Sequence, residues 1–369
     1  MKILTINAGS SSLRLNLFAQ TDAGLVSLAE AHYQNVASVA SPLLATFIAS
    51  VNLTEISLVV HRVVHGGERL IAPMLIDVRV EKEIEQLIPL APLHNPLALK
   101  WIRFARDLLG EATPQMAVFD TEFYQSLPQV ATTYALPQDL CQQHNIRRYG
   151  FHGIAHRAML NRWQQMRPEI KNGGRVISLQ LGSGCSITAI NDGVPVDTSM
   201  GFSPLEGLVM AKRSGDIDPA IIPFLQQQAG LSAEEIEQLL SKQSGLLGVS
   251  GESGDMRVLL DSDNPDAQLA VDLYCYRAHK YIGAYLAVLG GVDAILIGGG
   301  VGMNSAQVRG RIISGMEWLG LSLDADKNKE AQGKEACISA VGSRSEVWVM
   351  VVDEASAMAR SALDLFHHV

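Results

Sequence analysis

The stretch Ile3-Leu4-Thr5-Ile6-Asn7-Ala8-Gly9-Ser10-Ser11-Ser12-Leu13-Arg14-Leu15-Asn16-Leu17 decides the fold. A short apolar strand runs into a Gly/Ser turn. A second strand follows, in which Leu13, Leu15 and Leu17 alternate with Arg14 and Asn16, the period of a half-buried β-strand. The same design returns far along the chain. There Val176-Ile177-Ser178-Leu179-Gln180-Leu181 leads into Gly182-Ser183-Gly184-Cys185-Ser186 and then Ile187-Thr188-Ala189-Ile190. Each turn offers hydroxyls and backbone N–H groups with little bulk around them, a donor set that suits a phosphate oxygen. One such turn in each half suggests two related α/β domains with a cleft between them, clamping one polyphosphate. A pair of ordinary Gly-bearing hairpins would read the same from the turns alone.

The chain of 369 residues has room for two domains with cores of their own. Its 47% hydrophobic and 18% charged residues are an ordinary globular balance. A net charge of −9 argues against a nucleic-acid surface. Cys141, Cys185, Cys275 and Cys337 lie far apart without metal-ligand spacing, and read as reduced thiols of a cytoplasmic protein. The opening apolar run is too short for a signal peptide. Ile282 to Met303 is long enough to cross a bilayer and carries only Asp293 as a charge. Gly290-Gly291 and Gly298-Gly299-Gly300-Val301-Gly302 break it, so the expectation is a helix ending at Gly290, a strand over Val292–Ile297, a glycine loop and no membrane span.

Outward from the first hairpin, a polar, variable stretch runs to about Thr54. Ile56–Val64 reads as a buried strand that ends in the turn His65-Gly66-Gly67. Leu97, Trp101, Phe104 and Leu108 have helical spacing over Leu97–Leu109, and Met116–Phe119 is a short strand stopping at Asp120. In the second half, Asn191-Asp192-Gly193 is a hairpin turn into Val194-Pro195-Val196. Ser232 and Glu235 form a capping box, Leu269–Leu289 is a long amphipathic helix, and a strand over Val347–Val352 precedes a helix from about Glu354.

No GxxxxGK[ST] and no GxGxxG is present, which removes the P-loop, Rossmann and protein-kinase signatures. Phosphoryl transfer elsewhere needs positioning and charge stabilisation more than covalent chemistry. Arg62 lies inside an apolar strand, where an isolated guanidinium is costly, so it needs an anionic partner, in a salt bridge or at a site. Arg213-Ser214-Gly215-Asp216-Ile217-Asp218-Pro219 follows the apolar approach Gly207-Leu208-Val209-Met210; it is either a polar surface turn or a loop whose arginine joins Arg62 on one oxyanion. His152 stands between Gly150 and Gly153, where it could reach a transferring phosphoryl group or simply fill the core. Asp120 and Glu354 each read as strand-end carboxylates, suited to anchoring Mg²⁺ and its waters or to capping a helix.

At this point the chain resembles the acetate kinase family. The resemblance is carried by Asn7–Leu13, His61–Glu68, Ala91–Pro96, Val118–Thr121, Arg147–Gly153, Asp197–Gly201, Pro204–Met210, Arg213–Ala220 and Ser244–Gly248, and covers essentially the whole chain. It implies two duplicated ribonuclease H-like domains of the actin-like ATPase and acetate and sugar kinase superfamily. These would be an N-terminal one over 1–122 closed by 355–369, and a C-terminal one over 123–354 carrying the nucleotide site and a dimer interface. It further implies a homodimer that uses ATP/ADP, Mg²⁺ (or Mn²⁺) and a short carboxylate, with no nucleic acid or membrane partner.

By matching positions, Arg62 and Arg213 would hold the carboxylate and the phosphoryl group in flight, with His152 donating to it. Asn7, Ser10, Ser12 and Arg14 would face phosphates, together with Gly182, Ser183 and Gly184. Gly299, Gly300, Gly302 and Asn304 would lie against the nucleotide. Asn7, Asp120 and Glu354 would organise the metal and the arginines, while Val64, Leu93, Phe151 and Pro204 would line a small pocket for the acyl methyl. The chain departs from the family at Arg14, where Lys is usual. It departs again at Gln180-Leu181-Gly182-Ser183-Gly184 in place of His-Leu-Gly-Asn-Gly, at Met303-Asn304 in place of Glu-Asn, at Val352-Asp353-Glu354-Ala355 in place of Thr-Asn-Glu-Glu, and in a trimmed region between 20 and 54. The alternatives left open are a propionate or other short-acid kinase, a pyrophosphate- or phosphate-using enzyme, and a catalytically weak metabolite sensor.

Overall fold

The computed structural model describes residues 1–9, 12–22, 24–34, 41–51 and 56–366. They form two compact units, each built on a six-stranded sheet. The first unit gathers the described residues of Met1–Gln125, Phe151–Ala158 and Asp353–Val369; the second holds Ser126–Gly150 and Met159–Val352.

The first sheet consists of β1 (Lys2–Ala8), β2 (Ser12–Thr21), β3 (Gly24–Gln34), β4 (Leu58–Val63), β5 (Met74–Leu75) and β6 (Gln115–Phe119), in the order β3-β2-β1-β4-β6-β5. β1, β2 and β3 are an antiparallel meander, β4 and β6 run parallel to β1, and β5 is an antiparallel edge. The second sheet repeats this plan with β7 (Arg175–Leu181), β8 (Cys185–Asn191), β9 (Val194–Thr198), β10 (Ala294–Gly298), β11 (Ala336–Cys337) and β12 (Glu346–Val349), in the order β11-β12-β10-β7-β8-β9. The match between the two orders is the internal duplication that the paired hairpins suggested.

β4 and β6 are apolar without alternation because both faces of the first sheet are covered. Leu58 and Val60 pack with Met116, Val118 and Ile3 against Met358, Ala359 and Ala362 of the helix Glu354–Phe366. Val59 turns the other way, with Leu4 and Ile6, onto Trp101 and Ala105 of the helix Asn95–Leu109. In the second unit the capping box at Ser232 and Glu235 forms as expected, and the helix Pro265–Leu289 stops at Gly290, whose φ of 66° is left-handed. No helix among the described residues is long and apolar enough to cross a membrane.

Three expectations are corrected. The stretch before Thr54 contains β3 and a helix, Ser41–Ser50. β3 is an edge strand whose Val26 and Leu28 are exposed, so its apolar pattern is weak. The glycine run after β10 is a short helix, Gly299–Asn304, and no loop. Glycine disfavours a helix by about 1 kcal/mol per residue. Here the fully buried Arg309 donates to the carbonyls of Gly302 and Met303 at 2.7 and 2.9 Å and holds the helix end. Glu354 ends no strand: β12 stops at Val349, and Glu354 opens the last helix.

Three histidines of the first unit are buried. Desolvation pushes the His61 imidazole down to about 4 against the hydrogen bond it donates to Gln115 Oε1, His65 to about 4 and His156 to about 3. Their folded values lie below the unfolded value of about 6.5, so the unfolded chain binds the extra protons. The stability they contribute is present above pH 6.5 and is lost as pH falls toward 4. By pH 5.5 each costs about 1.4 kcal/mol. Urea unfolding at pH 7.5 and 5.5 is expected to show the fall, and His61→Gln to remove roughly a third of it. An unchanged pH dependence in that variant would show that His61 is charged in the fold.

Candidate active site

Polar residues gather where the apolar rows of β1, β4 and β6 reach their carboxyl ends, the usual ligand edge of parallel strands. Ile6 lies beside His61 and Arg62 beside Val118 in the parallel register. One step on, Asn7 therefore stands next to Arg62. Asp120, two residues past Val118, shares their face. That face carries Ile3, Val60 and Met116 lower down and is covered by the helix that Glu354 begins.

The four side chains form one network. Arg62 Nε donates to Asp120 Oδ1 and Oδ2 at 3.0 and 3.2 Å, and its Nη2 to Oδ2 at 2.6 Å. Arg62 Nη1 donates to Asn7 Oδ1 at 3.0 Å, and Asn7 Nδ2 donates to Glu354 Oε2 at 2.6 Å. The Asp120 side chain is 1% exposed and that of Arg62 14%. Burial opposes both charges. At Arg62 it is outweighed by Asp120 and Glu354, which hold the guanidinium above its ordinary pKa. At Asp120 burial pushes the carboxyl upward, against the pull of the Arg62 fork and the backbone N–H of His152. The bidentate geometry opposes the cost of burial at both groups.

Neighbouring backbone is held as closely. Asp120 N donates to the Val63 carbonyl at 3.0 Å, and Gly66 N to Thr121 Oγ1 at 3.0 Å. The fully buried Asn95 accepts from His65 N at 3.2 Å and donates to His65 O at 3.1 Å, pairing with the turn as a strand would. His152 adopts a left-handed φ of 58°, a strain borne at functional positions when the surroundings over-determine it. Gly153 N donates to the Asp120 carbonyl at 3.0 Å. A Cβ on Gly153 would stand 2.2 Å from that oxygen and 2.7 Å from Phe123 Cβ. Phe151 is buried, edge-on to His65 at 5.4 Å, and its carbonyl accepts from Tyr124 Oη at 2.8 Å.

Of the remaining candidates in this unit, Arg14 pairs across from Asn7 and shares its face. Ser12 begins β2, and Ser10 lies outside the described residues. Val64 is buried, whereas Leu93 is 38% exposed, so this unit by itself does not enclose Leu93 in an apolar pocket. Asn7 Oδ1 and the Glu354 carboxylate are hard oxygen donors. Among the described residues no three His, Cys, Asp or Glu side chains converge to hold an ion alone. A donor set this small fits Mg²⁺, which keeps water and takes substrate phosphate oxygens.

In the second unit, Gly182–Gly184 turns from β7 to β8, with Gly182 N donating to Gly184 O at 3.1 Å and Ser183 exposed. Gly299 sits over the end of β7, so close that a Cβ would meet the Leu181 carbonyl at 2.4 Å, and its φ is +81°. The two glycine segments are thus brought together. Gly302 is buried, Gly300 faces open space, and Asn304 Nδ2 donates back to the Gly300 carbonyl at 2.8 Å. Arg213 Nη1 donates to the Pro204 carbonyl at 2.9 Å. Sequence reasoning missed the supports: Asn95, Thr121 and Arg309. Arg309 carried a readable signal, since it occupies a core position beside Val308 and Ile312.

A model described as the acetokinase family matches residues 26–360. The chain belongs to the acetokinase family. An acetate kinase of Solibacter usitatus is 48% identical over 85% of this chain and 76% of its own length. That of Brachyspira hyodysenteriae is 40% identical over 99% of this chain and 100% of its own. The crystal structure of Porphyromonas gingivalis acetate kinase superposes with a TM-score of 0.89 at 36% identity, covering 99% of each chain. A propionate kinase structure from Francisella tularensis superposes equally well, at 35% identity over 98% of this chain and 99% of its own. The duplicated sheets are of the actin-like ATPase type that these acetokinase structures share.

The contact at Gly153 makes a direct test. Gly153→Ala is expected to lower stability by about 2–4 kcal/mol, because the blocking atom is backbone. Gly300→Ala, facing open space, is expected to hold or raise stability by up to about 1 kcal/mol. Calorimetry on both variants checks the pair; equal stabilities would remove the argument.

Proposed function

We infer that this chain is an acetate kinase, transferring a phosphoryl group reversibly from ATP to acetate to give ADP and acetyl phosphate. The observation that carries the reading is the Asn7–Arg62–Asp120–Glu354 network at the carboxyl ends of β1, β4 and β6, in a chain of this family.

In this proposal a carboxylate oxygen of acetate attacks the γ-phosphorus. The bond from that phosphorus to the β–γ bridging oxygen breaks, and ADP leaves with its electron pair. The attacking carboxylate is already anionic, so no general base is needed. Asp120 is buried and its carboxylate accepts from Arg62 through both oxygens, so its part is to fix the guanidinium. Arg62 and Arg213 neutralise charge on the carboxylate and the transferring group, and the His152 side chain donates to it. Val64, Leu93, Phe151 and Pro204 admit the methyl group. Ser10, Ser12, Arg14, Gly182, Ser183 and Gly184 face phosphates, and Gly299, Gly300, Gly302 and Asn304 face the nucleotide. Asn7 and Glu354 would hold Mg²⁺ (or Mn²⁺) through oxygen; the ion would supply charge neutralisation for the phosphates.

The proposed domains are 1–122 with 355–369, and 123–354, the latter with the nucleotide site and the dimer interface. The enzyme is proposed to be a cytoplasmic homodimer. The helix Ile221–Gln228 supports a partner surface: it buries none of its residues and leaves Ile221, Ile222 and Phe224 exposed, Phe224 by 62%.

Purified protein with Mg-ATP and acetate is expected to form hydroxamate-trappable acetyl phosphate, and acetyl phosphate with ADP to form ATP. Absence of both reactions overturns the reading. Propionate, pyrophosphate and phosphate in the same assay decide the remaining substrates. Arg213→Ala is expected to lower kcat on the order of 10²–10³-fold. Arg62→Ala should do the same and also cost about 3–5 kcal/mol of stability, since it strands the buried Asp120 charge. For the dimer, Phe224→Asp is expected to shift sedimentation toward a monomer; an unchanged dimer would place the interface elsewhere.

A further inference from the structure

Arg213 is carried on a loop that two matched clusters pin at its ends, and neither cluster has a role in the reaction as written above. At the first, Glu206 accepts from Arg148 Nη2 at 2.6 Å through Oε1 and from the Tyr134 hydroxyl through Oε2. The Tyr134 oxygen in turn accepts from Phe202 N at 2.8 Å. The Arg148 guanidinium lies 5.6 Å from the centre of the Tyr134 ring and donates to the carbonyls of Ala131 and Ser199 at 3.2 and 3.3 Å. The fit leaves no room for a side chain at Gly201, where a Cβ would fall 1.7 Å from Glu206 Oε2 and 2.0 Å from Tyr134 Oη.

At the second, Asp216 accepts from Gly207 N at 2.7 Å through Oδ1 and from the Tyr281 hydroxyl at 2.8 Å through Oδ2. Arg277 Nη1 stands 3.3 Å from the same Oδ2 and donates to the Asp216 carbonyl at 3.2 Å. Each cluster is therefore a carboxylate held between a tyrosine hydroxyl and an arginine. Both tyrosines are kept protonated, burial raising their pKa above the ordinary value and the adjacent acid adding to it, so both remain donors. Between the clusters lies Pro204, whose carbonyl accepts from Arg213 Nη1 at 2.9 Å.

We propose that Glu206 with Tyr134 and Asp216 with Tyr281 are positioning residues that fix loop 201–216, so that the Pro204 carbonyl sets where the Arg213 guanidinium stands. The inference rests on the reading of Arg213 as a residue that holds the carboxylate and the phosphoryl group. A guanidinium on a loose loop would sample many positions, and small displacements of a positioning group are costly in rate. The clamps act through Arg213 and Pro204, so they belong to the carboxylate side of the reaction. Gly182 and Gly299 are held by contacts of their own, and the loop meets the glycine turn through Ala211 N, which donates to the Ser183 carbonyl at 3.0 Å.

The test uses Tyr134→Phe, Tyr281→Phe and the double variant, each deleting a single hydroxyl without changing the ring. Expected is a rise in acetate KM or a fall in kcat of about tenfold in each single variant. The KM for ATP should change several-fold less than that for acetate, since the loop meets the glycine turn through backbone, Ala211 N to the Ser183 carbonyl, and not through Arg213. Amide hydrogen exchange without substrates should quicken across 201–216 and stay unchanged at β7 and β10. A purely structural role would instead speed exchange throughout the unit and move both KM values together, which overturns the proposal. Unchanged exchange at 201–216 overturns it as well. Should the unaltered protein prove inactive on acetate, the function falls, while the exchange measurement still judges the clamps.

Discussion

A guanidinium at the edge of an apolar sheet sets the terms for the first unit. Arg62 rises from a strand whose other residues are buried, and its charge is tolerated only because Asp120 meets it in a two-pronged contact. Asp120 is more buried still and depends on Arg62 in return. The surrounding structure follows from keeping the two in register. β4 and β6 are neighbours, Asp120 N is tied to Val63, Asn95 and Thr121 grip the turn after β4, and Gly153 lets the next segment press against the Asp120 backbone. Asn7 and Glu354 then join through the remaining guanidinium nitrogen.

The two sheets carry different side chains at matching positions. Strand register makes Gln180 on β7 the counterpart of Asn7 on β1, and Gly298 on β10 the counterpart of Arg62 on β4. Where one unit carries a charged network, the other has an amide and a glycine, and its backbone comes forward instead. Gly299 can pack onto Leu181 only because it carries no side chain. In the proposed reaction this divides the work: one sheet concentrates charge for the transfer, and the other offers backbone to an extended nucleotide. The same plan serves both, since the carboxyl ends of parallel strands are open in each sheet.

Much of this was legible in the sequence, for reasons that differ by residue. The hairpins, the buried strand at β4, the capping box at Ser232 and the stop at Gly290 follow from local rules of period, turn and cap. That Arg62 needed an anion followed from desolvation alone. β3 was not legible, because an edge strand shows little alternation. The helix over the glycines was not legible either, because its stability comes from Arg309, which lies beyond it in sequence and reaches back to its carbonyls. The pocket role expected of Leu93 drew on resemblance, and in the first unit that side chain stands exposed.

By itself, then, the sequence determined the strongly patterned strands and helices, that the paired hairpin occurs twice, and that Arg62 could not stand alone. Those properties reside in neighbours along the chain and in the energy of a single group leaving water. Only the tertiary structure decided that Asp120 is the partner of Arg62, that Asn7 and Glu354 complete the network from opposite ends of the chain, and that Glu206 and Asp216 pin the loop of Arg213. Those choices depend on strand register and on close backbone approach. A shift of one residue would turn Asn7 or Arg62 to the other face of its sheet, and no local pattern records which register is taken.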